Sequence, residues 1–290
     1  MDAAPPPLVS LPLALRLLQR IEFPRKLGLC ERLFARQLAR RGIAWFRAPG
    51  GGIWKADLRV PSHRWMVYGQ PQRGLVRFLR ARLAGPAVIV DAGANVGQML
   101  VPLLGALPCA RYLAVEPGKE ARAWLREGAA RNPAWPIEVI PAALSDRAGD
   151  AALVMPREGH GCQAWIAERG DQPTRLLRLA DALDARGIVR VDFWKLDVEG
   201  HELPALRGAA PLLREGRIGA LYVELHRGAL SEVLSFLEAL GYAPYDLDAA
   251  GRPKPFRDEG LDLTDALFLR KTPHSAASKR QGSCVRQAGG

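Results

Sequence analysis

An apolar run that ends in an acid and leads into a glycine turn occupies residues 88–98, which read Val-Ile-Val-Asp-Ala-Gly-Ala-Asn-Val-Gly-Gln. The run, the small residues and the amphipathic segment that follows predict a strand, a tight turn and a helix. Gly93 and Gly97 allow left-handed backbone angles and close approach of a ligand, and a helix beginning behind them directs N–H groups at that ligand. The spacing differs from the G-x-G-x-x-G of hydride-transfer enzymes. The turn therefore indicates either a cofactor site, with Asp91 and Asn95 as further contacts, or an ordinary strand–helix connection.

Strand and helix patterns alternate after this turn, as they do in a doubly wound parallel α/β sheet. The later strands are predicted at 112–116, 137–140, 191–198 and 220–225, and the helices at 96–104, 120–132, 179–186, 203–214 and 230–240. Two further runs, 242–247 and 266–270, are close enough in sequence to form an antiparallel pair at the sheet edge. A strand at 151–155 falls outside the alternation, and the glycine-containing stretch 156–173 predicts a mobile loop.

Ligands in such a sheet bind outside the carboxyl ends of its strands, so the residues at those ends are the candidates for chemistry. Four of the five predicted ends carry an acid: Asp91, Glu116, Asp197 and Glu224. An acid at Glu116 can accept hydrogen bonds from both hydroxyls of a ribose, although a solvated acid at a strand end is the alternative. Small residues around Ala143 and Leu144 suit close contact with a purine ring.

A second dense stretch, Lys-Leu-Asp-Val-Glu-Gly-His-Glu at residues 195–202, places charges at the end of an apolar strand. Burying charges without partners is costly, so this pattern indicates a site. Asp197 is expected to project over the cofactor, and Glu199 to lie in the loop that follows. His201 is either a site residue or a structural histidine, and Glu202 is either a site residue or the acid at a helix N-terminus.

Together these stretches resemble the FkbM family of S-adenosylmethionine-dependent methyltransferases over residues 50–270. The resemblance rests on residues 90–98, 115–117, 143–146, 195–202, 206–209 and 223–224. It implies a class I, Rossmann-like methyltransferase fold with a seven-stranded sheet whose last strand is antiparallel. It also implies O-methylation of small molecules, often sugars, lipid-linked glycans or polyketides. The chain departs from the family at Pro102, early in the helix behind the glycine turn, and at Gln70, where the family often has an acid after a glycine.

The predicted reaction is methyl transfer from S-adenosylmethionine to a hydroxyl. Because the cofactor brings an activated methyl group, the protein mainly aligns the acceptor with it, and a general base assists a neutral hydroxyl. Asp197 or His201 is the candidate base. Glu199, the third candidate catalytic residue, and Glu224 are expected to position the acceptor, and Glu202 is a further candidate substrate contact. The predicted cofactor contacts are Asp91, Gly93, Asn95, Gly97, Glu116, Ala143 and Leu144.

Basic charge is concentrated ahead of the glycine turn. Residues 1–85 hold 16 lysines and arginines against 4 acids, in a chain of net charge +11. Helical patterns at 13–41, interrupted by Pro24 and Gly28, predict one or two helices. Three interpretations of their arginines are open: a solvated helix face, attraction of a phosphate-bearing partner, or contact with an anionic membrane surface. Packing of these helices on the main domain is the default expectation. The expected division is a basic, mainly helical extension at 1–48, a methyltransferase domain at 49–271 and a disordered tail at 272–290.

The acceptor is expected to be a small molecule or a glycan, with no confident nucleic-acid partner. Two alternatives stay open: a methyltransferase that acts on RNA or protein through its basic N-terminal region, and an inactive binding protein on the same fold. The absence of a long apolar stretch and the acidic, proline-rich start predict a cytoplasmic protein. Four irregularly spaced cysteines predict free thiols. His160 and Cys162 lack a second pair of ligands, so no metal site is predicted.

Overall fold

The computed structural model describes residues 7–21, 23, 25–69, 72–107, 111–155 and 164–271. Gln70, the pair His160 and Cys162, and the predicted tail 272–290 lie outside the described residues. An eight-stranded mixed sheet carries the fold, together with a four-stranded sheet and a two-stranded hairpin. No helix in this part of the chain is both long and apolar enough to cross a bilayer.

The helices are α1 Leu13–Leu18, α2 Lys26–Ala39, α3 Pro61–Tyr68, α4 Arg73–Arg82, α5 Leu100–Ala106, α6 Lys119–Arg131, α7 Leu179–Asp184, α8 Glu202–Gly208, α9 Ala210–Arg214 and α10 Leu230–Ala239. The strands are β1 Ile43–Arg47, β2 Ile53–Asp57, β3 Val88–Ala92, β4 Arg111–Val115, β5 Ile137–Ile140, β6 Ala143–Leu144, β7 Gly149–Val154, β8 Trp165–Ala167, β9 Gln172–Leu177, β10 Phe193–Leu196, β11 Ala220–His226, β12 Tyr242–Leu247, β13 Pro253–Pro255 and β14 Leu263–Arg270. Strands and helices alternate from β3 to β5 and again from β9 to β12.

The large sheet has the strand order β13-β12-β14-β11-β10-β3-β4-β5. Five neighbouring strands, from β11 to β5, run parallel, whereas β14 lies antiparallel between β11 and β12. The predicted antiparallel pair is confirmed, with Tyr242 opposite Arg270. Strand β13, which is three residues long, adds an edge strand to the seven that the resemblance implied.

Alternate residues of the central strands point to opposite faces of the sheet, and each face has its own buried cluster. Ile89 and Tyr112 belong to the cluster that also takes residues from α1 to α6. Val90 and Leu113 belong to the cluster that also takes residues from α7 to α10. Because helices cover both faces, the sheet is doubly wound, as the alternation predicted.

Two predicted helices differ in the structure. The helix after the glycine turn begins at Leu100 and not at 96, which places Pro102 in its first turn, where a proline removes no helical hydrogen bond. The prediction that helix N–H groups lie directly behind the turn was therefore wrong by about one helical turn. The segment 203–214 forms α8 and α9, which divide at Ala209 ahead of Pro211.

Two predicted connections also differ. The stretch 156–173 was predicted to be a loop, but its described part contains β8 and the start of β9. These strands join β6 and the predicted strand β7 in the four-stranded sheet. Alternating residues at 53–60 predict an edge strand, and in the structure Ile53–Asp57 form β2, whose partner β1 the sequence did not reveal. Gly28 does not interrupt α2, since the helix runs through it.

The N-terminal helices pack against the buried cluster on one face of the large sheet. Leu15, Phe34 and Leu38 share one buried cluster with Trp54 and Leu103, which agrees with the default expectation for this region. Strands β1 and β2 pair across the predicted boundary at residue 48. The division of the chain at that boundary stays a prediction.

Trp54 attaches the N-terminal hairpin to the glycine turn. Its side chain is fully buried, and its indole Nε1 donates a hydrogen bond to the carbonyl of Val96 at 2.7 Å. A Cβ added at Gly97 would lie 2.7 Å from the indole, and one added at Gly128 of α6 would lie 2.5 Å from it. The tryptophan therefore fills a space that only glycine neighbours leave open.

Gly128→Ala is expected to lower the free energy of unfolding by about 1–2 kcal/mol, because the clash with Trp54 outweighs the gain in helix propensity. Gly28→Ala is the matched control: it also replaces a helical glycine, but its Cβ meets nothing within 4 Å. Urea denaturation measures both. Equal effects of the two substitutions would contradict the packing described for Trp54.

Candidate active site

A cavity of about 720 Å³ opens at the carboxyl ends of the central strands. Its lining includes Ala92 at the end of β3, Glu116 after β4 and Asp197 after β10. Residues of α3 and of the four-stranded sheet complete the lining, among them Trp65 and Leu153. The volume falls within the range of about 300–1,000 Å³ that is usual for small-molecule sites.

The glycine turn forms one wall of this cavity. Gly93, Asn95 and Gly97 have φ values of +76°, +46° and +93°, a left-handed conformation that favours glycine and asparagine. A Cβ at Gly93 would lie 1.7 Å from the carbonyl oxygen of Asp197, so no other residue fits there. Gly93 and Asn95 line the cavity, whereas Gly97 faces Trp54.

Glu116 connects the end of β4 to the glycine turn. Its Oε2 accepts a hydrogen bond from the backbone N–H of Asn95 at 2.8 Å, and its Oε1 accepts one from Gly118 at 2.7 Å. Burial raises the pKa of Glu116 to about 7, against the lowering effect of the two N–H groups. The carboxyl group lines the cavity, and it is held in one orientation.

Ala143 and Leu144, the predicted purine contacts, form β6 and line the same cavity. The following residue, Ser145, has its Oγ 3.0 Å from Nε2 of His201. Burial lowers the pKa of His201, which favours the neutral ring. His201 is outside the cavity lining, so the structure separates it from Asp197 and Glu199, the other two predicted catalytic residues.

A buried ion group joins the ends of β3 and β10. The ammonium of Lys195 lies 3.6 Å from Oδ1 of Asp91 and donates a hydrogen bond to Oδ2 of Asp197 at 2.8 Å. Tyr112 donates to the other oxygen of Asp91 at 2.7 Å. Asp91 is fully buried and outside the cavity lining, so its side chain contacts Lys195 and Tyr112 beneath the cavity floor.

The charge of Lys195 decides the ionisation of Asp197. Burial alone would raise the pKa of Asp197, but the ammonium beside it outweighs burial and leaves that pKa below its ordinary value. Burial likewise opposes the charge of Lys195, yet the two carboxylates raise the pKa of its ammonium. Asp197 is therefore a carboxylate at neutral pH, and it lines the cavity.

Glu199 and Glu224 lie next to this ion group and respond in the opposite direction. Burial and the negative charge of Asp197 raise the pKa of Glu199 to about 7. Burial and the same aspartate, with which Glu224 shares a hydrogen bond, raise the pKa of Glu224 well above its ordinary range. Both line the cavity, so this side of the cavity holds one carboxylate and two carboxyl groups whose pKa values are raised.

His226 extends this group. Its Nε2 lies 3.5 Å from Oε2 of Glu224, and one ligand atom each of Glu199, Glu224 and His226 lies within 4.8 Å of the others. Oxygen and imidazole ligands at such spacing suit a divalent cation. The sequence did not single out these three residues as possible metal ligands.

Glu202 is held away from the cavity. It is 1% exposed, and its Oε1 accepts hydrogen bonds from the backbone N–H groups of Val198 and Gly200, each at 3.1 Å. It begins α8. The geometry corresponds to the alternative that the sequence left open, an acid at a helix N-terminus.

Several cavity residues carry no clear signal in the sequence. Lys195 was visible only as part of the charged stretch, and Tyr112, which donates a hydrogen bond to Asp91 beneath the cavity, read as an ordinary strand residue. The N-terminal region contributes Arg59, Ser62, His63, Trp65 and Met66 to the lining. No spacing in the sequence relates these residues to the glycine turn, since they approach it only through the tertiary fold.

Glu199→Gln is expected to gain about 1–2 kcal/mol of stability relative to the unmodified protein between about pH 5 and pH 8. The pKa of Glu199 is raised from 4.5 to about 7 in the folded chain, so the folded state binds the proton more tightly. The stability that this proton confers is present below about pH 4.5 and is lost as the pH rises through about 7, a loss that glutamine does not suffer.

Urea denaturation at several pH values measures this difference. Glu238→Gln, at an exposed position of α10, is the control for the replacement of a glutamate by glutamine. A stability difference between Glu199→Gln and the unmodified protein that does not change with pH would contradict the raised pKa of Glu199.

Comparisons with known proteins place this geometry in a family. The family described as "Methyltransferase FkbM domain" matches residues 91–244. The methyltransferase sdnD of Sordaria araneosa is 28% identical over 161 residues, which cover 44% of this chain and 62% of that protein. The matched segment thus spans less than two thirds of that relative.

Two solved structures illustrate the fold neighbours. The precorrin-6y C5,15-methyltransferase of Geobacter metallireducens GS-15 is 13% identical, with coverage of 69% of this chain and 87% of that chain and a TM-score of 0.41. An S-adenosylmethionine-dependent methyltransferase of Agrobacterium tumefaciens is 11% identical, with coverage of 79% and 70% and a TM-score of 0.44.

The family match covers more than half of the chain and includes the glycine turn, Glu116 and the acids after β10 and β11. The predicted class I methyltransferase fold is confirmed by the doubly wound sheet with its antiparallel β14. This chain belongs to the FkbM family of methyltransferases.

Proposed function

We propose that this methyltransferase transfers a methyl group from S-adenosylmethionine to a hydroxyl of a small molecule or glycan. The observation that carries the proposal is one cavity with two chemically different sides. The glycine turn and Glu116 lie on one side, and Asp197, Glu199 and Glu224 lie on the other. Such a cavity suits a cofactor and an acceptor held against each other.

The cofactor side fits a nucleoside. Glu116 is positioned at the end of β4 to accept hydrogen bonds from ribose hydroxyls, and its orientation is fixed by Asn95 and Gly118. Ala143 and Leu144 present small and apolar surface for a purine. When bound, S-adenosylmethionine supplies the activated methyl group, and the protein supplies position.

The acceptor side fits a hydroxyl nucleophile. A neutral hydroxyl reacts slowly, and a base whose pKa is near the working pH removes its proton most effectively. Glu199, with a pKa of about 7, and Asp197, which Lys195 keeps ionised, are the two candidates in the cavity. Protonated Glu224 can donate a hydrogen bond that orients the acceptor. The contact of His201 with Ser145 supports a positioning role for that histidine.

Glu116→Gln is expected to weaken S-adenosylmethionine binding by about 10- to 100-fold, since a hydrogen bond to a charged group contributes about 1.5–3 kcal/mol. Isothermal titration calorimetry measures the affinity, and circular dichroism confirms that the variant is folded. Glu238→Gln is the control for a surface glutamate. Absence of binding to the unmodified protein would overturn the cofactor assignment, whereas unchanged affinity in Glu116→Gln would remove only the ribose contact.

Asp197→Asn and Glu199→Gln are expected to keep cofactor affinity, and the variant that lacks the base should lose about 10²- to 10⁴-fold in turnover. Incubating glycan and lipid extracts with the protein and the cofactor, and detecting a mass increment of one methylation, identifies the acceptor and provides the assay. If Glu199 is the base, the rate rises with pH through about 7 and Glu199→Gln abolishes that rise. Full turnover in both variants would contradict base catalysis by this group.

A further inference from the structure

Two rows of large apolar side chains are exposed on the N-terminal helices. Leu13 and Leu17 of α1 are 64% and 54% exposed, and Ile21, four residues further on, is 53% exposed. Leu29 and Leu33 of α2 are 40% and 58% exposed. A spacing of four residues places the members of a row on one face of their helix. These rows are a surface feature and not part of the core.

The opposite faces of both helices are fixed on the protein. Leu15 of α1 and Phe34 and Leu38 of α2 are buried in the core. Arg64 of α3 donates a hydrogen bond to the carboxylate of Glu31 in α2 at 3.1 Å. This contact holds α2 against α3. Since these contacts set the rotation of the helices, the exposed rows face outward in the folded chain.

Arginines accompany the exposed rows in a regular way. Each of the four helical leucines is followed three residues later by an exposed arginine: Arg16, Arg20, Arg32 and Arg36. Residues three apart are neighbours on a helix surface, so a basic row lies beside each apolar row. Residues 13–41 hold seven exposed arginines against two acids, and one of those acids, Glu31, is paired with Arg64. The surface is therefore apolar and strongly basic.

We propose that this surface, the leucine–arginine face of α1 and α2, binds the surface of an anionic membrane. Helices that lie on a bilayer bury apolar side chains at the headgroup boundary, while their basic residues attract anionic lipids. An RNA would use the arginines through its phosphates, but it would leave the five exposed apolar side chains in water. A lipid surface contacts the apolar side chains and the arginines alike, so it is favoured over nucleic acid as the partner.

Two exposed apolar residues on elements next to α2 line the cavity. Ile43, four residues beyond the end of α2, is 51% exposed, and Trp65 of α3 is 39% exposed; both line the cavity. Tryptophan is favoured where an apolar and an aqueous phase meet. An acceptor carrying an apolar tail would reach the cavity from the bilayer surface at this point. That consequence rests on the proposed function, whereas membrane binding by the face does not.

Sedimentation of the full chain with lipid vesicles tests the proposal, without cofactor or acceptor. The protein is expected to bind vesicles of phosphatidylcholine with phosphatidylglycerol, to bind less at high salt, and to stay in solution with phosphatidylcholine alone. The double variant Leu29→Glu with Leu33→Glu is expected to lower the bound fraction at least about tenfold. Val189→Glu is the matched control, because Val189 is 74% exposed and lies outside the face.

Failure of the unmodified protein to bind the anionic vesicles overturns the proposal, as does an equal loss of binding in Val189→Glu. Circular dichroism melting establishes that each variant is folded. Size-exclusion chromatography with light scattering addresses self-association. A dimer that the Leu29→Glu, Leu33→Glu variant converts to a monomer would make the face an interface between copies and overturn the proposal. Binding of single-stranded RNA without vesicle binding would overturn it in favour of nucleic acid.

Discussion

The ammonium of Lys195 and the carboxylates of Asp91 and Asp197 form the buried group on which the site depends. Burying one such charge alone would cost several kcal/mol, so the lysine and the aspartates require one another. Lys195 and Asp91 face each other in the parallel register of β10 and β3, which ties together the two central strands. The backbone after Lys195 then packs so closely on the glycine turn that only Gly93 fits opposite the carbonyl of Asp197. The two sides of the cavity, which are proposed to hold the cofactor and the acceptor, therefore both depend on this ion group.

A single lysine cannot neutralise all the acids around it. Asp197 takes the ion pair, and the neighbouring carboxyl groups of Glu199, Glu224 and Asp265 respond to burial and to its charge by holding their protons more tightly. Asp265 comes from the antiparallel strand β14, opposite Glu224 in the register. This side of the cavity thus combines a carboxylate with carboxyl groups whose pKa values are raised, a set of groups that suits the proposed activation of a hydroxyl.

The N-terminal region completes the cavity and connects it to the outside. Trp54 fills the space between Gly97 and Gly128 and so holds the hairpin against the glycine turn. Helix α3 adds Trp65 to the cavity lining. The same region carries the leucine–arginine face, which is proposed to bind an anionic membrane. Changes in this region would affect access to the cavity without altering the acids at the strand ends.

The sequence by itself determined the alternation of strands and helices, the glycine turn and the acids Glu116, Asp197 and Glu224 at the strand ends. These features are local, because each depends on a short apolar run, a turn residue or a motif of a few positions. Only the tertiary structure decided that Asp91 supports Lys195 beneath the cavity and that Trp54 packs on a turn about 40 residues away. It also decided that Glu202 accepts hydrogen bonds from the loop ahead of α8 and does not line the cavity. Such long-range contacts leave no periodicity in the chain, since packing and charge pairing select them only after the strands have come together.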